Sequence, residues 1–423
     1  MRVTGTTTRR RLLRALTGTA LAGALGLTAC GGGADPRWEA PTEPPAPKVA
    51  ASIVTPAPDS TDVPASAEIE FTTENATSAT LELRDADGDV IDGALRPGTT
   101  TWVPATSLAY DTTYTATVTA TGEDGRTATA TSTFTTMAKP AKTVGVSSNI
   151  GDDMVVGIGM PMVLRFSQAV PKEARATIER RLWVETVPAQ EGAWHWFSDR
   201  ELHYRPKAFW KAGTKLNFRI GTGGLPLGGD LYGRNELTVV ASVRPDPVVM
   251  TVDNATKQMT VTHNGKVVKV IPVSLGKPKT PSSSGTMVIM ERLRNTIFDT
   301  MDDPNPENRY RVPIEYAMRL TWGGEFIHAA PWSVADQGKR NVSHGCVNVS
   351  MENAAWLFNL AKLGDPVTVK GTEVALQKGN GWTDWSMSWE QYIKGSALPY
   401  SPPTSASAGP SAAGPSASAS TGA

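Results

Sequence analysis

Ser343-His344-Gly345-Cys346-Val347-Asn348, preceded by Phe326-Ile327-His328-Ala329-Ala330-Pro331-Trp332-Ser333, decides how this chain is read. Cys346 is one of only two cysteines in 423 residues. The other, Cys30, closes Leu27-Thr28-Ala29-Cys30 at the end of an apolar N-terminal run. Two cysteines in separate contexts leave none for a disulfide, so Cys346 is a lone thiol in an oxidising compartment. Such a thiol is a liability unless chemistry requires it.

The residues around Cys346 supply that chemistry. A thiol attacks carbonyl carbon as the thiolate, and its free pKa is about 8.5. A histidine within reach can hold the proton as imidazolium and create an activated ion pair. His328 and His344 are the candidates. Attack on an amide builds an oxyanion that needs preorganised N–H donors. Gly345, directly before the thiol, lets the backbone turn and expose them. Asn348 offers a polar group to brace the loop. A metal half-site with His328 as third ligand would use the same residues, but no acidic or cysteine partner stands at ligand spacing. A purely structural Cys346 is the remaining alternative. Papain-like and NlpC-like peptidases place Cys before His, and sortases separate His from Cys much further.

The flanking chain is β-rich. Lys plus Arg and Asp plus Glu both total 41, so nothing suggests a nucleic-acid partner. Alternation is clear in Ala67-Glu68-Ile69-Glu70-Phe71, Ala79-Thr80-Leu81-Glu82-Leu83 and Tyr114-Thr115-Ala116-Thr117-Val118. Asp87-Gly88, Pro97-Gly98 and Asp124-Gly125 supply turns between them. Short strands at regular spacing predict an immunoglobulin-like sandwich. At an offset of 102 residues, Trp102, Pro104, Leu108, Thr112, Tyr114 and Val118 match Tyr204, Pro206, Trp210, Thr214, Leu216 and Ile220. That repeat predicts tandem sandwiches over 50–140 and 141–246. His195 and His203 fall in the second and read as packed or surface histidines rather than ligands.

Beyond Pro245-Asp246-Pro247, strands are predicted at 248–252 and 259–262, with an Asn264-Gly265 hairpin into 266–273. A strand at 286–291 follows, then an aperiodic stretch, 292–311, that reads as a surface loop or lid. Residues 351–363 read as an amphipathic helix with Ala355, Leu357, Phe358 and Leu360 on its apolar side and Ser350 as N-cap. Residues 366–370 return as a strand. Trp382, Trp385 and Trp389 at helical spacing predict a C-terminal helix docking an aromatic face.

The termini have other signatures. Arg9, Arg10, Arg11 and Arg14 precede an apolar run, 15–29, too short to span a bilayer. With Leu-Thr-Ala-Cys this is a bacterial lipobox, which makes Cys30 a lipidation site. Residues 1–29 are then a signal peptide, with Sec or Tat export left open. The expected location is the outer face of the cytoplasmic membrane, facing the wall. Residues 30–49 read as a Pro/Gly-rich tether and 401–423 as a disordered Ser/Ala/Pro tail.

His328 followed by Ser343-His344-Gly345-Cys346-Val347-Asn348 resembles the signature of the L,D-transpeptidase (YkuD-type) catalytic domain. The flanking Phe326 to Ser333 and Gly338-Lys339-Arg340-Asn341-Val342-Ser343 resemble actinobacterial, mycobacterial-type members. The resemblance covers 247–372, with a Trp-rich subdomain at 373–400. It implies a mostly β chain: two immunoglobulin-like β-sandwiches, a YkuD-type β-rich catalytic domain and a short C-terminal helical subdomain. It also implies a peptidoglycan L,D-transpeptidase that needs no cofactor or metal. Cys346 would attack the third residue of a stem peptide, usually meso-diaminopimelate, expel D-Ala and pass the acyl group to another stem, forming a 3→3 cross-link. His328 would accept the thiol proton, and the Ala329 carbonyl would orient it. The amides of His344, Gly345 and Cys346 would form the oxyanion hole. Tyr310 and Trp332 would flank the substrate channel, with Ser343 and Asn348 also at the substrate, and carbapenems would act as covalent inhibitors. The same motif would serve an L,D-carboxypeptidase using water, and a wall-binding lipoprotein with a vestigial site is the non-enzymatic alternative.

Overall fold

The computed structural model describes residues 48–96, 98–302, 304–306 and 309–402. The expected signal peptide, Cys30, most of the expected tether, Asp303 and the tail beyond residue 402 lie outside them.

The chain is mostly β. In the strand Thr113–Thr121, Tyr114, Ala116, Val118 and Ala120 are buried while the intervening threonines face outward. This two-residue period builds a sandwich. One sheet holds Ala50–Thr55, Ile69–Glu74, Thr101–Pro104 and Gly93–Leu95. The other holds Ser60–Val63, Thr127–Thr136, Thr113–Thr121, Ser78–Asp85 and Val90–Ile91. Ile69, Leu83, Trp102, Tyr114 and Phe134 fill the space between. A second pair of sheets follows, Val146–Ser148, Met162–Phe166, Glu201–Pro206 and Gly192–Trp196 facing Val155–Val156, Leu237–Val243, Lys215–Ile220 and Leu182–Val187. The aromatic-x-Pro corners at Trp102 and Tyr204 do the same job: each ends a strand of one sheet and sends the chain into the opposite sheet. The second sandwich also carries a helix, Lys172–Glu179, that no sequence signal announced.

The C-terminal β-region has two sheets. Six strands run in the order Lys266–Pro272, Gln258–His263, Val248–Asp253, Pro366–Lys370, Ser283–Val288 and Val374–Ala375. Asn264 and Gly265 both take positive φ, 50° and 72°, as a two-residue hairpin turn requires. The second sheet orders Glu291–Asp299, Arg311–Arg319, Phe326–Ala329 and Val347–Val349. The helix Met351–Leu360 packs between them, capped by Ser350 Oγ, which accepts from the Asn353 amide at 3.2 Å.

Three expectations need correction. Residues 292–311 are not a free loop: Glu291–Asp299 pairs antiparallel with Arg311–Arg319 as a long hairpin, and only its tip is irregular. The strand was hidden because both its faces are largely solvated, which erases the alternation. The helix ends at Leu360, and its buried residues are Ala354 and Leu357 rather than Ala355. The C-terminal tryptophans do not share one helix. Trp382 lies in a bend, Trp385 on a 3-10 turn, Asp384–Ser386, and Trp389 on a one-turn helix, Trp389–Tyr392, whose capping box at Ser388 and Gln391 starts a new segment. The aromatic docking is present: Trp385 Nε1 donates to the Gly159 carbonyl at 2.6 Å, and its ring lies 4.4 Å from that of Phe209.

The junction between the second sandwich and the region carrying Cys346 is tight. The Gly157 amide donates to Leu363 O at 2.7 Å and the Gly159 amide to Gly364 O at 2.9 Å. A Cβ on Gly157 would stand 2.2 Å from the Asp365 nitrogen, so only glycine allows this approach. Arg244, almost wholly buried, donates to Asp365 at 2.6 Å and to Asp246 at 3.0 and 3.1 Å. Removing one partner of a buried ion pair strands the other. Arg244→Ala should therefore lower unfolding stability by about 3–5 kcal/mol, measured by urea titration of the whole chain. An unchanged midpoint would show that the pair holds nothing together.

Candidate active site

The strands Phe326–Ala329 and Val347–Val349 pair in parallel register, Ile327 with Val347, His328 with Asn348 and Ala329 with Val349. Side chains alternate along a strand. Ile327, Ala329, Val347 and Val349 therefore enter the core between the sheets. Phe326, His328, Asn348 and Cys346, one residue ahead of its strand, project from the opposite face. Phe326 and Cys346 pack with Ile314, Ala317 and Phe298. The Phe298 ring touches both Phe326, at 4.7 Å, and His328, at 5.2 Å. Thiol and imidazole are thus two ends of one apolar patch.

His328 is buried, and its Nδ1 lies 2.8 Å from the Ala329 carbonyl. That contact makes Nδ1 the protonated nitrogen and leaves Nε2 as the acceptor. Burial pushes the imidazole pKa down to about 4, the Ala329 carbonyl opposing only in part. Cys346 is also buried, its thiol donating to Gly324 O at 3.6 Å. Burial pushes its pKa up to about 12; the Phe326 amide works against this and the Glu325 carboxylate adds to it. Both groups are therefore neutral at rest. A resting thiolate–imidazolium pair, expected from the motif, is disfavoured because desolvation penalises both charges.

His344 occupies a different environment. It is exposed, its Nε2 accepts from Lys277 Nζ at 2.9 Å, and the Tyr310 ring lies 5.3 Å away. Partial burial, then the Lys277 charge, lowers its pKa. That contact leaves only Nδ1 of His344 able to take up a proton. Gly345 has φ +119°, a conformation closed to side-chain-bearing residues. Its amide donates to Ser343 Oγ at 3.2 Å, while Ser343 Oγ donates to Cys346 O at 2.7 Å. Ser282 Oγ donates to Gly345 O at 2.7 Å. Gly345 is thus already satisfied, and of the three expected oxyanion donors only the amides of His344 and Cys346 lack a protein acceptor among the described residues.

Ser343 and Asn348 are buried, as His328 and Cys346 are. Ser343 ties the nucleophile loop, and Asn348 Nδ2 donates to Ser333 Oγ at 3.3 Å. Trp332 is 58% exposed with its ring 6.1 Å from His328, so it borders the open side. Tyr310 closes the hairpin tip through its amide, which donates to Thr300 Oγ1 at 3.0 Å. Sequence reasoning missed Lys277, Ser282, Ser283, Phe298 and Glu325. None stands in a motif, and only the fold brings them to Cys346. His195 and His203 are buried far along the chain, hydrogen-bonded to Tyr392 O and to Asp384. Among the described residues no group of three or more His, Cys, Asp or Glu could hold a metal ion.

A family model described as the L,D-transpeptidase catalytic domain (YkuD) matches residues 247–369, and one described as a bacterial Ig domain matches 60–226. The chain is 35% identical over 407 residues to L,D-transpeptidase 2 of Mycobacterium tuberculosis, spanning 93% of this chain and 97% of that protein. The chain belongs to the L,D-transpeptidase family. L,D-transpeptidase 5 of the same species is 32% identical over 84% of this chain and 78% of its own. The solved structure of L,D-transpeptidase LdtMt1 in complex with imipenem is 32% identical, covering 55% of this chain and 100% of that one, with a TM-score of 0.47. This L,D-transpeptidase is an enzyme of peptidoglycan cross-linking. Among its described residues no helix is long and apolar enough to cross a membrane.

The neutral thiol has a measurable signature. With its pKa raised by burial, the thiolate fraction of Cys346 keeps growing through the alkaline range. Alkylation by iodoacetamide should rise about tenfold per pH unit from pH 7 to 10 with no plateau at the free-thiol value. A rate that levels off below pH 8 would mean a preformed ion pair.

Proposed function

We propose that this L,D-transpeptidase forms 3→3 cross-links through an acyl-enzyme on Cys346, and the reading is carried by the parallel register that sets His328 and Cys346 on one face. Cys346 Sγ attacks the carbonyl of the third stem residue while its proton moves to His328 Nε2. The imidazole is neutral near pH 7 and held by the Ala329 carbonyl, so it is ready to accept. The amides of His344 and Cys346 receive the developing oxyanion. His328 returns the proton to the leaving D-Ala amine as the C–N bond breaks, leaving a thioester. An acceptor amine then attacks, losing a proton to His328, and the thiol departs reprotonated. Trp332 and Tyr310 border the approach of the two stem peptides.

Intact-protein and product mass spectrometry with a disaccharide-tetrapeptide tests this. Wild type should give a cross-linked dimer and one carbapenem adduct per chain, and Cys346→Ala should give neither. His328→Ala should lose about 10²–10⁴-fold in acylation rate, and His344→Ala clearly less. Free tripeptide as the sole product would make the enzyme a carboxypeptidase. A larger loss in His344→Ala would reverse the two histidines.

We further propose that Cys30 carries the membrane anchor. Each buried methylene of a lipid chain contributes about 0.8 kcal/mol, and stable attachment takes two chains. Cys30→Ala should shift the protein from the membrane to the soluble fraction. Retention after that change would assign anchoring to the apolar run.

A further inference from the structure

Glu325 stands directly before the strand that carries His328, and its backbone is fixed at both ends. Its amide donates to Thr321 Oγ1 at 3.0 Å, and its carbonyl accepts from the Leu320 amide at 2.9 Å. This sends the side chain across the nucleophile loop. Glu325 Cγ lies 3.6 Å from where a Cβ on Gly345 would stand, one residue from Cys346. The carboxylate accepts from Ser283 Oγ at 2.7 Å and the Ser283 amide at 3.2 Å. Its other oxygen has only a 3.4 Å contact with that same amide.

No lysine, arginine or histidine forms an ion pair with it among the described residues. Lys277, the cation beside the nucleophile loop, is turned to His344 Nε2 instead. A half-buried carboxylate without a counter-charge is costly, and its pKa is raised by desolvation, against the two Ser283 hydrogen bonds. It also opposes formation of the Cys346 thiolate. For the first half-reaction this charge is therefore a hindrance. In the second half-reaction the thioester is neutral and the incoming nucleophile is an amine. Aliphatic amines are ammonium ions near neutral pH. That ion is the counter-charge Glu325 lacks.

We propose that Glu325 is the anionic anchor for the acceptor amine, holding it beside the Cys346 thioester with Ser283 fixing the carboxylate. The inference rests on the transpeptidase reading above. The bound ammonium first loses one proton to solvent. The free amine then attacks the thioester carbonyl, forming the C–N bond and giving a second proton to His328. As the C–S bond breaks, His328 returns that proton to the sulfur. Glu325 binds and aligns; it neither gains nor loses a bond.

The two half-reactions are separable by experiment. The full chain would be acylated with tetrapeptide donor, and cross-linked dimer and free tripeptide quantified over a range of acceptor stem. Glu325→Gln keeps the shape and the Ser283 contact but removes the charge. Its acceptor KM should rise at least about tenfold, the scale of a lost charge-assisted hydrogen bond. Its donor acylation rate should hold or increase, and the product mixture should shift to tripeptide. Glu325→Asp, which keeps the charge, should recover part of the acceptor KM. An acceptor KM within twofold of wild type in Glu325→Gln would overturn the proposal, as would a donor acylation rate falling by the same factor as transfer. If wild type makes no dimer at all, the transpeptidase reading fails, and this inference with it. If wild type makes dimer and Glu325→Gln matches it, only the role of Glu325 fails.

Discussion

Three parallel residue pairs, ending with Ala329 against Val349, govern the rest of the site. Parallel neighbours cannot be joined by a tight turn and need a crossover. Here the crossover, residues 330–346, is itself functional: it opens with the turn Pro331–Ser333 that presents Trp332 and closes with the loop that presents Cys346. The positions of His328, Cys346 and Trp332 are thus tied to one connection. A shift of one residue in register would drive Cys346 into the core and Val347 out of it. The hydrogen bonds of Ser274 with Asn348, at 2.9 and 3.1 Å, hold the free edge of Val347–Val349 against such slippage.

Burial explains the electrostatic character of the site. The apolar patch of Phe298, Phe326 and Ile314 that aligns thiol and imidazole also removes the water that would stabilise their charges. A neutral pair follows. In the proposed reaction, transfer of the proton and formation of the C–S bond would relieve one another only once substrate has arrived. His344 lies just outside the patch, where solvent and Lys277 reach it.

The parts of this molecule that were legible in the sequence are those with short-range grammar. The threonine-rich alternation of 113–121, the Asn264-Gly265 turn and the Ser350 cap each depend on residues within one element. The motif from Ser343 to Cys346 was legible for the same reason, since it forms one tight loop. The hairpin from Glu291 to Arg319 was not, because a strand solvated on both faces has no alternation to read. The tryptophan spacing at 382, 385 and 389 imitated a helix, while the Ser388 cap broke it. Glu325 and Ser283 were invisible because 42 residues separate them. Their partnership exists only after two sheets have closed around the nucleophile.

The two inter-module joints differ in kind. The sandwiches meet through polar contacts such as Arg181 Nη1 with Ser66 O at 2.7 Å and Ser107 Oγ with Glu236 at 2.8 Å. The second sandwich instead shares one continuous core with Val288, Met290 and Trp382, locked by Gly157 and Arg244. For gene shuffling the consequence is asymmetric. Exchanging the leading sandwich would break part-buried polar contacts, whereas exchanging the last one would cut through a shared core.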